Sequence, residues 1–306
     1  MSFKSGINSL QINIFLLIIY LGRKGYTVPK IHIVTDSTAD LTKEIIEKYN
    51  IHVVPLTIQI DGESYIDGVN IQPEEFLEKM STSKELPKSS QPAVGVFKEL
   101  YDRLGKNGDQ VISIHMTGGM SGTVKSAQTA ADLTDSDVTV IDSKFISFAL
   151  YFQVEEAAKM AVNGATKDAI VEKVLDICSK TDLYVVVDTL DNLVKGGRIG
   201  KGKAMIGSLL SIKPIASLAN GVYTPVAKAR SHKQVVNYLF KQFMEDTKGK
   251  VVKAVGISHA NGLSMATPLM ELIKDSGFKD IQVSFTSPVI STHTGPGAIG
   301  FMYMTE

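Results

Sequence analysis
The chain has 306 residues and carries 32 Lys and Arg against 32 Asp and Glu, so its formal net charge is zero. That balance supplies no global field for nucleic acid or for an acidic membrane surface. A composition of 44% hydrophobic and 21% charged residues describes an ordinary soluble protein with ample core, and the length favours two domains over one. The single cysteine, Cys178, excludes a disulfide within the chain, fits a reducing cytoplasm and reads as core.

Residues 1–28 stand apart from the rest. Ile12 to Leu21 is mostly apolar and is followed by Arg23, Lys24 and Gly25. A run of that length covers only about half of a bilayer core. Gly22-Arg23-Lys24-Gly25 also lacks the small-residue cleavage site of a signal peptide. The expectation is an over-called start, with translation beginning near Val28 or Pro29; a membrane anchor is the alternative.

From Lys30 the chain alternates strand and helix patterns. Ile31, Ile33 and Val34 mark a buried strand. Asp36 to Asp40 is a run of turn and capping residues, and Leu41, Ile45, Ile46 and Tyr49 trace one helix face. Ile51 to Ile60 reads as one strand, at an edge or bulged because it carries Pro55. Asp61-Gly62 signals a hairpin, with Ser64 to Val69 returning. Helices are expected over Gln72 to Met80 and Val94 to Leu104, with Pro73 and Pro92 near their starts. A strand through Val111, Ile112 and Ile114 meets the turn Thr117-Gly118-Gly119, and a helical run from Val124 to Leu133 follows. Val138 to Ile141 is the next strand. This alternation predicts a parallel sheet with crossover helices over 29–148, an α/β domain whose ligand site lies at the carboxyl ends of its strands. Asp36, Ser121 and Asp142 all fall just past such ends.

The texture changes after Phe148. Long helical segments reach Lys180, Leu183 to Val187 is an apolar strand, and Lys195 to Lys203 is a basic glycine-rich stretch. A hairpin around Ala219-Asn220-Gly221 follows, then helices over Lys233 to Met244 and Leu263 to Ser276. Strands are expected over Val251 to His259, Ile281 to Ser284 and Gly300 to Met304. Hairpins beside helices predict a second, α+β domain over 149–306.

Three clusters could carry chemistry. Ser89-Ser90-Gln91-Pro92 precedes a helix and could simply cap it. Ser121-Gly122-Thr123 lies in a glycine turn before a helix N-terminus, where free N–H groups and hydroxyls attract an anion. Ser287 to Ala298 puts His293 in a loop among small residues that leave its ring open to a ligand, and imidazole suits an anion near neutral pH. Metal binding finds no support, because the six histidines show no ligand spacing. Gly196-Gly197-Arg198 lacks the spacing of a phosphate-binding P-loop. Gly119-Met120-Ser121 resembles the start of a nucleophile elbow, yet Thr123 stands where that motif needs glycine. A serine hydrolase acting on a lipid or acyl ester through Ser121 and His293 is the rival reading.

Taken together the motifs resemble the DegV family from about Lys30 to Met304. They are Thr35-Asp36-Ser37-Thr38-Ala39-Asp40-Leu41, Ser90-Gln91-Pro92, Gly119-Met120-Ser121-Gly122-Thr123, Asp142-Ser143-Lys144, Lys195-Gly196-Gly197-Arg198-Ile199, Ile212-Lys213-Pro214-Ile215 and His293-Thr294-Gly295-Pro296-Gly297-Ala298. The resemblance implies a two-domain bacterial protein with its ligand site between the domains. It would be a non-catalytic fatty-acid-binding subunit that presents a long-chain acid to a separate ATP-using fatty acid kinase, on a route to phospholipid synthesis. By motif, Ser89, Ser121 and His293 would hold the carboxylate, with Ser90, Thr123 and Thr294 in support. Where the family usually has Thr ahead of Ser-Gln-Pro this chain has Ser89, which keeps the hydroxyl. Arg198 would belong to the surface that meets the kinase. No cofactor, metal or nucleic acid is implied; the site would be cytoplasmic, touching the inner membrane face transiently. Phe145 to Phe148 and Met205 to Leu210 are candidate walls for the tail.

Overall fold
The computed structural model describes residues 29–205 and 212–306. The expectation for 1–28, and that for a tail wall at 205–210, fall on residues or side chains outside the described set. The described chain from Ile31 onward forms one compact unit built on three sheets.

The first sheet is wholly parallel, in the order β2 (His52–Val54), β1 (Ile31–Asp36), β6 (Gln110–His115), β7 (Asp137–Asp142). Both faces of its central strands β1 and β6 are covered, so that even the polar Thr35, Asp36, Ser113 and His115 are buried. Val34 and Val111 point into a cluster under α3 (Val94–Leu104) and α4 (Thr123–Asp132), while Ile33, Ile112 and Ile114 point into the main core on the opposite face. The order reverses between β1 and β6, and the loops leaving their carboxyl ends diverge there.

The second sheet has the order β10 (Thr224–Ala229), β9 (Lys213–Ser217), β8 (Thr181–Val186), β13 (Ile299–Thr305), β11 (Val252–His259), β12 (Ile281–Phe285). It is antiparallel except for β11 and β12. Its outer face is covered by α8 (His232–Asp246) and α9 (Leu263–Asp275) around Leu239, Phe243, Leu269 and Phe301. The chain is therefore a mixed α/β protein whose two main sheets, each with its own helices, belong to one compact unit.

Between the two sheets runs α5 (Ser147–Val162), packed on β1 and β6 of one and on β11 and β13 of the other, with α6 (Lys167–Ser179) alongside. Its first two turns, Ser147 to Val154, are buried on every side. An all-round apolar helix of this kind belongs in a core rather than on a surface. The expected domain boundary at 148/149 thus falls at the start of an element that both sheets share.

Some local expectations are corrected. Pro55 does not bulge a single strand. It ends β2 in the parallel sheet, and the chain resumes as β3 (Thr57–Ile60) in a separate three-stranded sheet with β4 (Glu63–Ile66) and β5 (Lys88–Ser90). Proline removes the N–H that would carry the ladder onward. Ser89-Ser90 is likewise a strand rather than a helix cap: Ser89 pairs with Ile58, and the α3 N-cap is Ala93, which makes no side-chain cap. His293 lies not in a loop but in the last turn of a short helix, α10 (Pro288–Thr294), which Ser287 caps through the Ile290 N–H. The remaining helices are α1 (Lys43–Tyr49), α2 (Pro73–Thr82) and α7 (Asp191–Lys195).

Two carboxyls, Asp40 half-buried and Asp67 buried, lie near the junction of the halves, and Asp40 bridges it. Asp40 accepts from the Ser147 hydroxyl at the start of α5, from Thr286 Oγ1 at 3.1 Å and from Ser287 N at 2.9 Å. Asp67 accepts from Ser37 Oγ at 2.6 Å and is 1% exposed. Burial raises both to about 7, against the pull of those hydrogen bonds. An acid whose folded pKa is raised holds its proton longer when folded, so these groups erode stability as pH climbs from the unfolded value near 3.9 to about 7. Asp40→Asn, which keeps the shape of the protonated form, should flatten that decline. A thermal-unfolding series from pH 5 to pH 8 checks it, the variant gaining on the parent toward the alkaline end.

Candidate functional site
At the reversal in the parallel sheet, Asp36 is fully buried. Its Oδ1 accepts from Thr38 N and Oγ1, and its Oδ2 accepts from Met116 N at 2.9 Å and lies 3.0 Å from His115 Nδ1. The other ring nitrogen of His115 meets Ser113 Oγ at 2.7 Å, which receives the Tyr101 hydroxyl. Burial alone would raise the Asp36 pKa, but the hydrogen bond and charge of His115, with the Thr38 and Met116 bonds, leave it below the usual carboxylate value. The network anchors the start of the turn that follows β6. Beyond it, Thr117 N donates to Phe145 O, and Thr117 Oγ1 to Gly221 O at 2.9 Å.

That turn delivers Ser121 to a cavity of about 290 Å³ between the sheets. Apolar walls come from Leu56, Met116, Ile146, Val185, Leu193 and Ile290. The polar side of the same cavity carries Ser89, Ser90, Ser121, Arg198, His293 and Thr294. A concave, mostly apolar space with a few convergent polar groups is the usual form of a small-molecule site.

Ser89 and His293 meet although 204 residues separate them: Oγ lies 2.7 Å from Nε2. β5 supplies the serine, and α10 packs on that same small sheet and on α7. Asn192 of α7 donates to Thr292 O at 3.0 Å, fixing the two helices. The opposite ring nitrogen, His293 Nδ1, has no hydrogen-bond partner among the described residues. It faces Gly196, where a Cβ would stand 2.3 Å away, so only glycine admits the ring in this position. Burial, and then the charge of Arg198, lower the His293 pKa to about 4, which leaves the imidazole neutral at pH 7.

Arg198 is half-buried and held in the cavity wall, with Nε donating to Met120 O at 3.0 Å and Nη1 to Gly196 O at 2.6 Å. It joins the Ser121 turn to the His293 side of the site. Ser121 Oγ lies 2.8 Å from Thr123 Oγ1 and also accepts weakly from Thr123 N. Thr123 itself is fully buried and does not line the cavity, so its support is indirect. Of the expected walls, Ile146 lines the cavity, whereas Phe145 and Phe148 lie in the main core. Sequence reasoning missed Tyr223, a buried cavity residue whose hydroxyl has no partner among the described residues. Nothing in its surroundings in the chain marks it, because it follows an ordinary turn.

Among the described residues no group of three or more His, Cys, Asp or Glu could hold a metal, and no helix is long and apolar enough to cross a membrane.

The sequence profile described as "Uncharacterised protein, DegV family" matches residues 30–306. A DegV domain-containing protein of Listeria monocytogenes is 45% identical over 90% of this chain and 99% of its own. Among solved structures, DegV of Bacillus subtilis, described as a fatty acid binding protein, superposes with a TM-score of 0.84 at 34% identity, covering 91% of this chain and 100% of its own. A DegV family protein of Thermus thermophilus, described by its fatty acid binding, gives 0.85 at 30% identity, with 90% and 100% covered.

The neutral imidazole gives a direct test. Its folded pKa lies below the unfolded value near 6.5, so the folded state resists protonation and loses stability as pH falls from about 6.5 through about 4. Nuclear magnetic resonance of the ring should place the His293 midpoint near 4. Arg198→Gln should raise that midpoint without restoring the ordinary value, because burial is the larger cause.

Proposed function
The chain belongs to the DegV family, and we propose that it is a carrier that holds a long-chain fatty acid with its carboxylate at the Ser89–His293 pair. The observation that carries this reading is the 2.7 Å contact between those side chains on the polar side of an otherwise apolar cavity. Ser121 and Arg198 line the same cavity, and the fatty acid binding described for the Bacillus and Thermus relatives agrees with it.

The energetics divide the labour. A sixteen-carbon tail buries about fourteen methylenes at ~0.8 kcal/mol each, roughly 11 kcal/mol before the entropy of ordering. Hydrogen bonds to a carboxylate add about 1.5–3 kcal/mol each, less its desolvation. Affinity therefore comes from the tail, and the hydroxyls and imidazole fix which end faces outward. A neutral His293 acts as an N–H donor rather than as a fixed countercharge. Arg198 supplies the positive field, while its own donors are spent partly on backbone carbonyls.

This chain performs no bond-making step. A separate kinase subunit would bring ATP, and a carboxylate oxygen would attack the γ-phosphorus as the bond to ADP breaks, giving an acyl phosphate. An acyltransferase at the inner membrane face would then take the acyl group toward phospholipid synthesis. Arg198 serves the site wall in this scheme, and its role toward a kinase would run through the turn it holds. The hydrolase alternative is weaker on geometry. His293 faces Ser89 rather than Ser121, and no carboxylate among the described residues orients its Nδ1 as a triad acid would.

Protein purified, denatured and extracted with solvent should release long-chain fatty acid in near-stoichiometric amount by mass spectrometry; extracts without fatty acid would remove the reading. Ser121→Ala should leave the fold intact, while acyl phosphate formation with a cognate kinase and ATP falls at least ~10-fold, the worth of one such hydrogen bond. Unchanged turnover would take Ser121 out of the site.

A further inference from the structure
The contact between Ser89 and His293 has a direction. Ser89 Oγ and His293 Nε2 lie 2.7 Å apart, so one of the two donates. A neutral imidazole carries a single N–H, on one nitrogen or the other, and the surroundings of the far nitrogen decide which. His293 Nδ1 is buried with no hydrogen-bond partner among the described residues. It abuts Gly196, where a Cβ would stand 2.3 Å away. The backbone groups around that glycine are already engaged. Gly196 N donates to Asn192 O at 2.8 Å, Gly197 N donates to Val194 O at 3.1 Å, and Gly196 O accepts from Arg198 Nη1 at 2.6 Å.

The two tautomers differ sharply in what they leave unsatisfied. A proton on Nδ1 would be a buried donor without an acceptor, and orphaned buried N–H groups are rarer in folded proteins than under-satisfied acceptors. That N–H would also sit on the Gly196 side, where the guanidinium of Arg198 already places positive charge. A proton on Nε2 avoids both penalties. Its N–H has Ser89 Oγ as acceptor, and the bare Nδ1 lone pair is favoured by the neighbouring cation.

Resting on the fatty-acid reading, we infer that His293 keeps its proton on Nε2 and donates it to Ser89, so that the Ser89 hydroxyl hydrogen, rather than the imidazole, grips the carboxylate. A serine hydroxyl has one hydrogen and two lone pairs. With one lone pair occupied by the Nε2–H, the hydrogen is left for the cavity that Ser89 lines. A hydroxyl that accepts one hydrogen bond donates a stronger one, by about 10–30%. His293 is then a positioning residue that acts through Ser89. The same wiring withholds the general base that a serine nucleophile needs, because the nitrogen facing Ser89 already carries its proton. Ser89 can therefore hold an activated acyl group without being acylated by it.

Nitrogen-15 magnetic resonance of the ring, in delipidated and in loaded protein, reads the tautomer near pH 7, well above the His293 midpoint of about 4. Nε2 should be protonated and Nδ1 bare in both; the opposite assignment overturns the inference. Dissociation constants for hexadecanoic acid then test the relay. Ser89→Ala should weaken binding at least ~10-fold. His293→Asn, whose amide reaches only the Nδ1 position, should weaken it ~5-fold in the parent but less than ~2-fold once Ser89 is alanine. His293→Gln, whose amide reaches the Nε2 position, should recover most of that loss. Equal losses from His293→Asn with and without the Ser89 hydroxyl, or recovery by asparagine instead of glutamine, overturn the route through Ser89 while leaving the carrier reading in place. The ring measurement needs no variant, so it decides the tautomer even where a substitution prevents folding. A parent that binds no hexadecanoic acid overturns the carrier reading, and with it the role given to Ser89.

Discussion

A carboxylate sealed between two parallel strands governs the geometry of everything above it. Asp36 sits where β1 and β6 part, and it takes N–H groups from Thr38 and Met116 while facing His115. A buried charge left without partners would cost several kcal/mol, so the surrounding groups are held to it rather than free to relax. One consequence is local, because the short 3-10 turn Ser37–Ala39 begins on this side chain. The other reaches further: Met116 is fixed at the end of β6, and the turn through Gly118 and Gly119 must then leave toward the second sheet. Its contact with Gly221 O through Thr117 makes that direction definite.

Polar contacts between the two sheets are few and each does a separable job. Asp40 joins the entrance of α5 to the segment leading into α10, and Ser147 holds a left-handed φ of 57° at that joint. Such a conformation costs a non-glycine residue on the order of 1–2 kcal/mol and persists only where its surroundings require it. The carboxyl that requires it is the same one that anchors Ser287, which caps α10. The imidazole of His293 is thus positioned from both ends of its helix: by Asp40 at the start, and by Asn192 and Gly196 near the finish.

The site that results is electrostatically mild. Its histidine is neutral, its arginine is partly satisfied by carbonyls, and its hydroxyls are weak donors. A strongly cationic pocket would favour small multivalent anions. A mild one backed by apolar walls suits a singly charged head on a long hydrocarbon, where burial of the tail dominates the free energy. It also leaves the head group releasable, as the proposed carrier role requires.

Much of this was legible from residue order alone. Periodicity marked the strands of the parallel sheet, the helices between them and the location of Ser121 beyond a strand end. These signals are local, and local spacing is what a side-chain pattern encodes. The family motifs named Ser89, Ser121, His293 and Arg198 as a set. What neighbours in the chain could not disclose is who meets whom. Ser89 reads as a helix cap until β5 pairs with β3, and His293 reads as a loop residue until α10 packs on that sheet. Arg198 reads as a surface charge until its guanidinium is seen on Met120 O. Tyr223 carries no signal in the sequence, because an unpaired hydroxyl is a property of enclosure by distant segments. Those contacts span from tens to more than two hundred residues, and only the closing of two sheets around α5 decides them.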